Sequence, residues 1–260
     1  MNFTITALDA PIAALGESPL WCPEEAILYW VDIDGKTIHR HDPTTGTHGV
    51  RSIDGRPGAI ALSSTLGRLL VASEHRLLEL DWDTGVVTLF ADLEAANTGN
   101  RLNDGCCDSA GRFIVGSMYA DTTAGHTTGT LHRIHHSGEV ETLRTDIGVT
   151  NGLAFDVKRN RMYFADTPTE RVLVFDYEPS TGTMYNQRLF FDYHEHPGKP
   201  DGACVDADGC YWSASVYGWS LLRIKPDGEV DYRVELPLQK PSMPCFGGKH
   251  LDTLFVTTSS

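Results

Sequence analysis

A strand-like apolar core recurs six times along this chain, and that recurrence limits the fold more than any other feature. The cores are Leu28-Tyr29-Trp30-Val31-Asp32, Leu69-Leu70-Val71-Ala72, Phe113-Ile114-Val115-Gly116, Met162-Tyr163-Phe164-Ala165-Asp166, Tyr211-Trp212-Ser213-Ala214 and Leu254-Phe255-Val256-Thr257. Matched at Tyr29, Leu70, Ile114, Tyr163, Trp212 and Phe255, they are spaced 41, 44, 49, 49 and 43 residues apart. Between them lie turn sequences such as Asp42-Pro43-Thr44-Thr45-Gly46, Asp81-Trp82-Asp83-Thr84-Gly85 and Pro226-Asp227-Gly228. Asp-Gly and Thr-Gly between short alternating runs are hairpin signals. A repeat of about 40–50 residues with about four strands has the size of a β-propeller blade. The predicted fold is therefore all-β: a six-bladed β-propeller with four-stranded antiparallel blades, forming one domain over residues 1–260. A β-sandwich would explain the turns but not the equivalent placement of the polar motifs described below. The sixth repeat reaches Ser260 just after its second run begins, so the last blade is expected to be incomplete and the natural chain to run on further. Phe3-Thr4-Ile5-Thr6 is expected to supply an outer strand to that blade.

Composition narrows the function classes. A hydrophobic fraction of 41% is ample for a continuous core. With 21 basic and 35 acidic residues the formal charge is −14, the wrong sign for neutralising phosphates, so a nucleic-acid partner is not expected. No apolar run approaches the length of a membrane span, and Met1-Asn2-Phe3-Thr4 lacks the basic and apolar regions of a signal peptide. No membrane partner is expected, and the expected location is the cytoplasm. Cys22, Cys106, Cys107, Cys204, Cys210 and Cys245 show no metal-type spacing and are expected to be free thiols. A closed ring leaves few exposed strand edges, so a monomer is the default.

Three polar residues stand at equivalent points of the repeat, each beside Gly, Ser or Pro and just before an apolar run. They are Glu17 in Gly16-Glu17-Ser18-Pro19, Asn151 in Thr150-Asn151-Gly152 and Asp201 in Pro200-Asp201-Gly202. Each is expected in a tight turn at a strand end, facing the central channel. Two carboxylates and an amide carbonyl form an all-oxygen set suited to a hard divalent cation. Three protein ligands would leave positions open for water and substrate, as catalytic sites do. Taken singly, each residue is better explained structurally: Asn151 and Asp201 as turn formers beside Gly, and Glu17 as an acceptor of backbone amides.

The signatures Gly16-Glu17-Ser18-Pro19-Leu20-Trp21, Arg101-Leu102-Asn103-Asp104-Gly105, Asn151-Gly152-Leu153-Ala154, Tyr163-Phe164-Ala165-Asp166-Thr167 and Pro200-Asp201-Gly202-Ala203-Cys204-Val205-Asp206 follow one another across several blades. From Glu17 to Phe255 the sequence thereby resembles the SMP-30/gluconolactonase/luciferin-regenerating enzyme (regucalcin-like) family of six-bladed propellers. The resemblance implies that Glu17, Asn151 and Asp201 bind one catalytic divalent cation (Ca²⁺, Mn²⁺, Mg²⁺ or Zn²⁺). It also implies that Arg101 and Asn103 line the substrate pocket. The segment Met118–His126 varies within the family, and here Tyr119 and Asp121 are its contact candidates; His126 is expected as an exposed loop residue.

The expected reaction is hydrolysis of a small-molecule sugar lactone to its aldonic acid, with Asp201 accepting a proton from the attacking water. Two alternatives stand beside it. One is a non-catalytic Ca²⁺-binding or regulatory propeller; the other is an esterase or phosphotriesterase of the same fold. Serine-hydrolase chemistry through Ser18 and His196 is set aside, because the chain has no Gly-x-Ser-x-Gly elbow.

Overall fold

The computed structural model describes residues 3–260 and contains 22 strands with three single-turn 3-10 helices. Five sheets have four strands each, ordered consecutively and antiparallel, and a sixth has two. The innermost strands are Gly16–Cys22, Pro57–Leu62, Asn100–Cys107, Thr150–Asp156, Lys199–Val205 and Pro241–Gly247. Each contacts the next around a ring, and the last contacts the first. The architecture is a β-propeller with five complete blades and a two-stranded sheet in the sixth position.

Burial falls from hub to rim. The second strand of blade one, Ile27–Asp32, is buried throughout, whereas the fourth strand of blade two, Val87–Asp92, is exposed at nearly every position. An inner strand is flanked on both faces by neighbouring blades; a rim strand meets solvent. The buried apolar side chains accordingly fall into clusters at the seams between blades. Tyr29, Val31 and Ile38 of blade one pack with Ile60, Val71 and Leu80 of blade two. Tyr163 and Val174 of blade four pack with Tyr211 and Leu222 of blade five. The seam between the sixth sheet and blade one is thinner, built on Trp21, Leu28 and Trp30 with Cys245 and Phe255. There Trp21 stacks on Phe255 at 5.8 Å between ring centroids.

Hairpin chemistry repeats with the blades. The Asp42 carboxylate accepts Thr44 N–H at 2.8 Å, Asp81 accepts Thr84 N–H at 2.9 Å, and Glu178 accepts Ser180 N–H at 3.1 Å. Gly46, Gly85 and Gly182 complete these turns with positive φ. Acceptor side chains fixing the turn backbone two or three residues on explain why these motifs read clearly from sequence.

Every inner strand carries a β-bulge at about the same level. Register breaks fall between Glu17 and Leu20, Pro57 and Ala59, Asn151 and Ala154, Pro200 and Ala203, and Pro241 and Met243. In blade three the break leaves Asn103 and Asp104 between the paired residues Leu102 and Gly105. Glu17, Asn151 and Asp201 therefore lie inside inner strands, at bulges, and not in turns at strand ends as expected. An extra residue bends the strand and re-aims its side chain, which turns a polar group toward the axis without ending the sheet. Gly152 shows the steric demand: its φ is +60°, and a Cβ there would lie 2.3 Å from the Tyr211 hydroxyl. That hydroxyl donates to Gly152 O at 2.9 Å and so ties blade five to blade four.

The ring closes through main-chain contacts. Leu15 bridges Ser259, Ser260 N–H donates to Ala14 O at 3.1 Å, and the buried Ser242 hydroxyl donates to Gly16 O at 2.5 Å. The expected outer strand from Phe3-Thr4-Ile5-Thr6 does not form; these residues pair with no strand. Phe3 instead sets its ring against Trp212 and Tyr232 of blade five, at 6.4 and 6.5 Å. The contact is side chain on side chain, because the aromatic wall offers area where a sheet edge would offer hydrogen bonds. The arm borders a cavity of about 1530 Å³ lined by Trp30, Trp212, Phe246 and Phe255. All six cysteines are free. Among the described residues no helix is long and apolar enough to cross a membrane.

Gly152→Ala should destabilise the fold by about 2–4 kcal/mol, from overpacking and a strained φ together. Tyr211→Phe should cost about 1 kcal/mol, the net worth of one hydrogen bond. Urea denaturation of both variants measures the difference; equal losses would show that Gly152 is not sterically required.

Candidate active site at the hub

The bulges bring side chains from four blades together. The Asn103 amide donates to Thr150 O at 2.8 Å and to Asn151 Oδ1 at 3.2 Å. Its Oδ1 accepts Arg101 Nη1 at 2.7 Å, and the same nitrogen donates to Leu102 O at 3.0 Å. Asn151 Nδ2 donates to Thr167 Oγ1 at 2.8 Å, and the Thr167 hydroxyl donates to Pro200 O at 2.8 Å. With its nitrogen held by Thr167 and its oxygen reached by Asn103, the Asn151 amide has one orientation. The Asn151 amide lies close to the Asp201 carboxylate and favours its charged form.

Asn103, Asn151 and Arg101 are buried, while Glu17 and Asp201 keep partial exposure. The carboxylates lie deep in the ring, and burial shapes their titration. Burial pushes Glu17 well above the ordinary range; Asp201 and Asp104 push it further, while Ser18 N–H and Arg101 oppose. Burial and then Asp104 likewise raise Asp201. Asp104 itself is raised to about 6 by burial, restrained by the N–H groups of Leu153 and Gly105. Arg101 is pulled down to about 10, first by burial and then by Arg56, against the attraction of Glu17. One guanidinium thus acts on two carboxyl groups, Glu17 and Asp201, whose ionisation Asp104 further disfavours.

That imbalance is the test of fit for a cation. A buried all-oxygen set with surplus negative charge suits a hard divalent ion, which would lower all three carboxyl groups together. Among the described residues no three His, Cys, Asp or Glu side chains form a metal-binding group; the hub set includes an amide, that of Asn151. Asp104 turns its Oδ2 to Leu153 N–H at 2.9 Å and acts on the others through space.

The other expected site residues are placed as follows. Tyr119 ends the second strand of blade three, half-buried, with its ring edge-on to His126 at 4.5 Å and hard against Gly99. His126 is exposed, as expected. Asp121 is exposed, and its carboxylate caps the 3-10 turn Thr122–Ala124 by accepting Thr123 N–H at 3.0 Å and Thr123 Oγ1 at 2.6 Å. Ser18 is buried and accepts Ile60 N–H at 3.0 Å, while His196 packs on Phe191 at 4.7 Å; neither serves as a nucleophile–base pair. Asp104 and Thr167 were not singled out from sequence. Both lie within quoted signatures, but their roles depend on which partner lies across the seam.

The sequence pattern of the SMP-30/Gluconolactonase/LRE-like region matches residues 15–260. A pentonolactonase of Haloferax volcanii is 34% identical, over 98% of this chain and 85% of its own length. A 6-deoxy-6-sulfogluconolactonase of Pseudomonas putida is 33% identical, over 100% of this chain and 88% of its own. Among solved structures, regucalcin of Agrobacterium tumefaciens, described as a calcium-binding protein, superposes with a TM-score of 0.91 at 29% identity. It covers 96% of this chain and 83% of its own.

The surplus charge has a pH signature in the cation-free protein. Glu17 has a folded pKa above its unfolded value, so its cost is absent near pH 4 and grows as pH rises from there. Glu17→Gln should therefore raise the melting temperature of the stripped protein by several degrees near pH 8 and leave it unchanged near pH 4. Calorimetry at both pH values measures this; a variant less stable than wild type near pH 8 would contradict the charge assignment.

Proposed function

The chain belongs to the SMP-30/gluconolactonase/LRE-like family, and from that premise we propose that it is a divalent-cation-dependent lactonase opening a sugar lactone to its aldonic acid. The observation that carries this reading is the hub: the Glu17 and Asp201 carboxyls act on each other, Asn151 lies beside Asp201, and Arg101 is held next to them through Asn103. The lactonase relatives, similar over nearly the whole chain, support the substrate class.

Glu17, Asn151 and Asp201 would hold the cation, which supplies polarisation of the lactone carbonyl and compensation for developing negative charge. Asp201 accepts the proton of the attacking water on a carboxylate oxygen. Asp201 is the better candidate than Glu17 for this, because Gly202 N–H, Arg101 and Asn151 oppose the burial that raises its carboxyl, and a bound cation would lower it further. Among the described residues Arg101 uses only Nη1 in its hydrogen bonds, which leaves Nε and Nη2 for ring hydroxyls of the sugar. Both hydrogens of the Asn103 amide are engaged, so its contribution is to orient Arg101 and Asn151 against each other. Tyr119 offers an aromatic edge to the sugar, and Asp121 shapes the neighbouring loop. Fixing the ester against the nucleophile is worth as much as the chemistry of the groups themselves.

A second reading is a calcium-binding propeller without catalysis, favoured by the description of the regucalcin structure. The two separate by turnover. Protein stripped with EDTA should lose hydrolysis of γ- and δ-aldonolactones and regain it with Mn²⁺, Ca²⁺, Mg²⁺ or Zn²⁺. Calcium binding without turnover on any lactone would favour the second reading, and preference for aryl esters or organophosphates would indicate a different hydrolase. Asp201→Asn should lower kcat by about 10²–10⁴-fold; near wild-type turnover would place the base elsewhere.

A further inference from the structure

A second buried polar network lies beside the start of the strand that carries Arg101, and the hydrolysis described above makes no use of it. Glu94 is buried in the segment following Val87–Asp92. Its Oε1 accepts Ser117 Oγ at 2.5 Å and His132 Nε2 at 2.9 Å, and its Oε2 accepts Asn100 Nδ2 at 2.8 Å. Asn100 Nδ2 also donates to Thr128 O at 2.9 Å, while Asn100 Oδ1 accepts Thr128 Oγ1 at 2.6 Å. Ser117 Oγ accepts Thr130 N–H at 2.9 Å. An ionised carboxylate only accepts, so His132 presents a protonated Nε2 to it.

These bonds join three segments next to Arg101, which pairs with Met118 across the two inner strands. Asn100 directly precedes Arg101. Ser117 stands two residues before Tyr119, and Thr128 closes the exposed loop that carries Asp121 and His126. Gly99 backs the Tyr119 ring, and its carbonyl accepts Ala120 N–H at 2.9 Å. One carboxylate therefore ties both ends of residues 119–128 to the start of the strand bearing Arg101. A buried charged network adds little net stability over an apolar cluster of the same volume, but it admits only one arrangement of its members.

We propose that Glu94 is a positioning residue: through Asn100, Ser117 and Thr128 it fixes the wall formed by residues 119–128 against Arg101 and so sets how tightly the sugar of the lactone is held. This rests on the lactonase reading. Among the described residues Glu94 bonds Asn100, Ser117 and His132 and none of the proposed cation donors, so its effect is expected on substrate binding. Glu94→Gln keeps the shape but not the pattern of acceptors. With its oxygen toward Ser117 and His132, the new amide nitrogen meets Asn100 Nδ2, donor against donor. Turning Asn100 over only moves the conflict to Thr128.

The test combines lactone kinetics of the cation-loaded wild type and Glu94→Gln with hydrogen–deuterium exchange of the same preparations. KM should rise about tenfold or more while kcat stays within about threefold. Exchange in residues 119–128 should quicken by about tenfold or more, with the inner strand of blade one unchanged. Unchanged KM overturns the proposal whether or not exchange quickens, and so does a fall in kcat alone with unchanged exchange. A wild type that hydrolyses no lactone would remove the lactonase reading, and exchange would then decide alone whether Glu94 pins the wall. If Glu94→Gln does not fold, Thr128→Val carries the same readouts; no change in either overturns the proposal.

Discussion

A small sheet with two apolar faces can hide them only against another such sheet, and a closed ring satisfies that demand for every blade at once. All else in this molecule follows from that closure. The seams hold the apolar side chains, so the axis is left to whatever the inner strands present there. Bulges at matching levels allow those strands to present polar groups while their ladders continue on either side. Polar side chains distant in sequence thus become neighbours without any loop having to be held in place.

The hub is costly for the folded chain on its own. Glu17, Asp104 and Asp201 are crowded together, and Arg101 offsets only part of the charge of Glu17 and Asp201. Sites that bind a cation and leave room for a substrate commonly carry such a surplus, because a fully neutralised cluster has nothing to gain from the ion. The Asn103 amide links the two halves, holding the guanidinium with its oxygen and the Asn151 carbonyl with its nitrogen. The proposed substrate arm and the proposed cation donor are consequently set by one planar group.

Much of this was legible in the sequence, for a physical reason. The repeat, the hairpin turns and the Glu17, Asn151 and Asp201 motifs are short-range patterns, and short-range patterns survive in a string of letters. The bulges were misread as turns because Gly and Pro beside a polar residue signal either, and only pairing register distinguishes them. Phe3 was taken for strand because alternation suggests it, yet an aromatic wall on blade five captured the side chain instead. The Glu94 network left no trace: His132 lies 38 residues away and Ser117 lies 23 away, and no motif joins them. Asp121 reads as a pocket acid, but local competition for its carboxylate by Thr123 was not visible without the backbone geometry.

The contacts that shut the ring fall on Ala14, Leu15 and Gly16, immediately before Glu17. Parting them would swing one of the proposed cation donors away from the others. An ion that needs Glu17 in place would therefore act as a clasp, resisting the separation of the first and last sheets by the free energy of its own binding. Chelation in such a molecule loosens a mechanical joint as well as emptying a reaction centre.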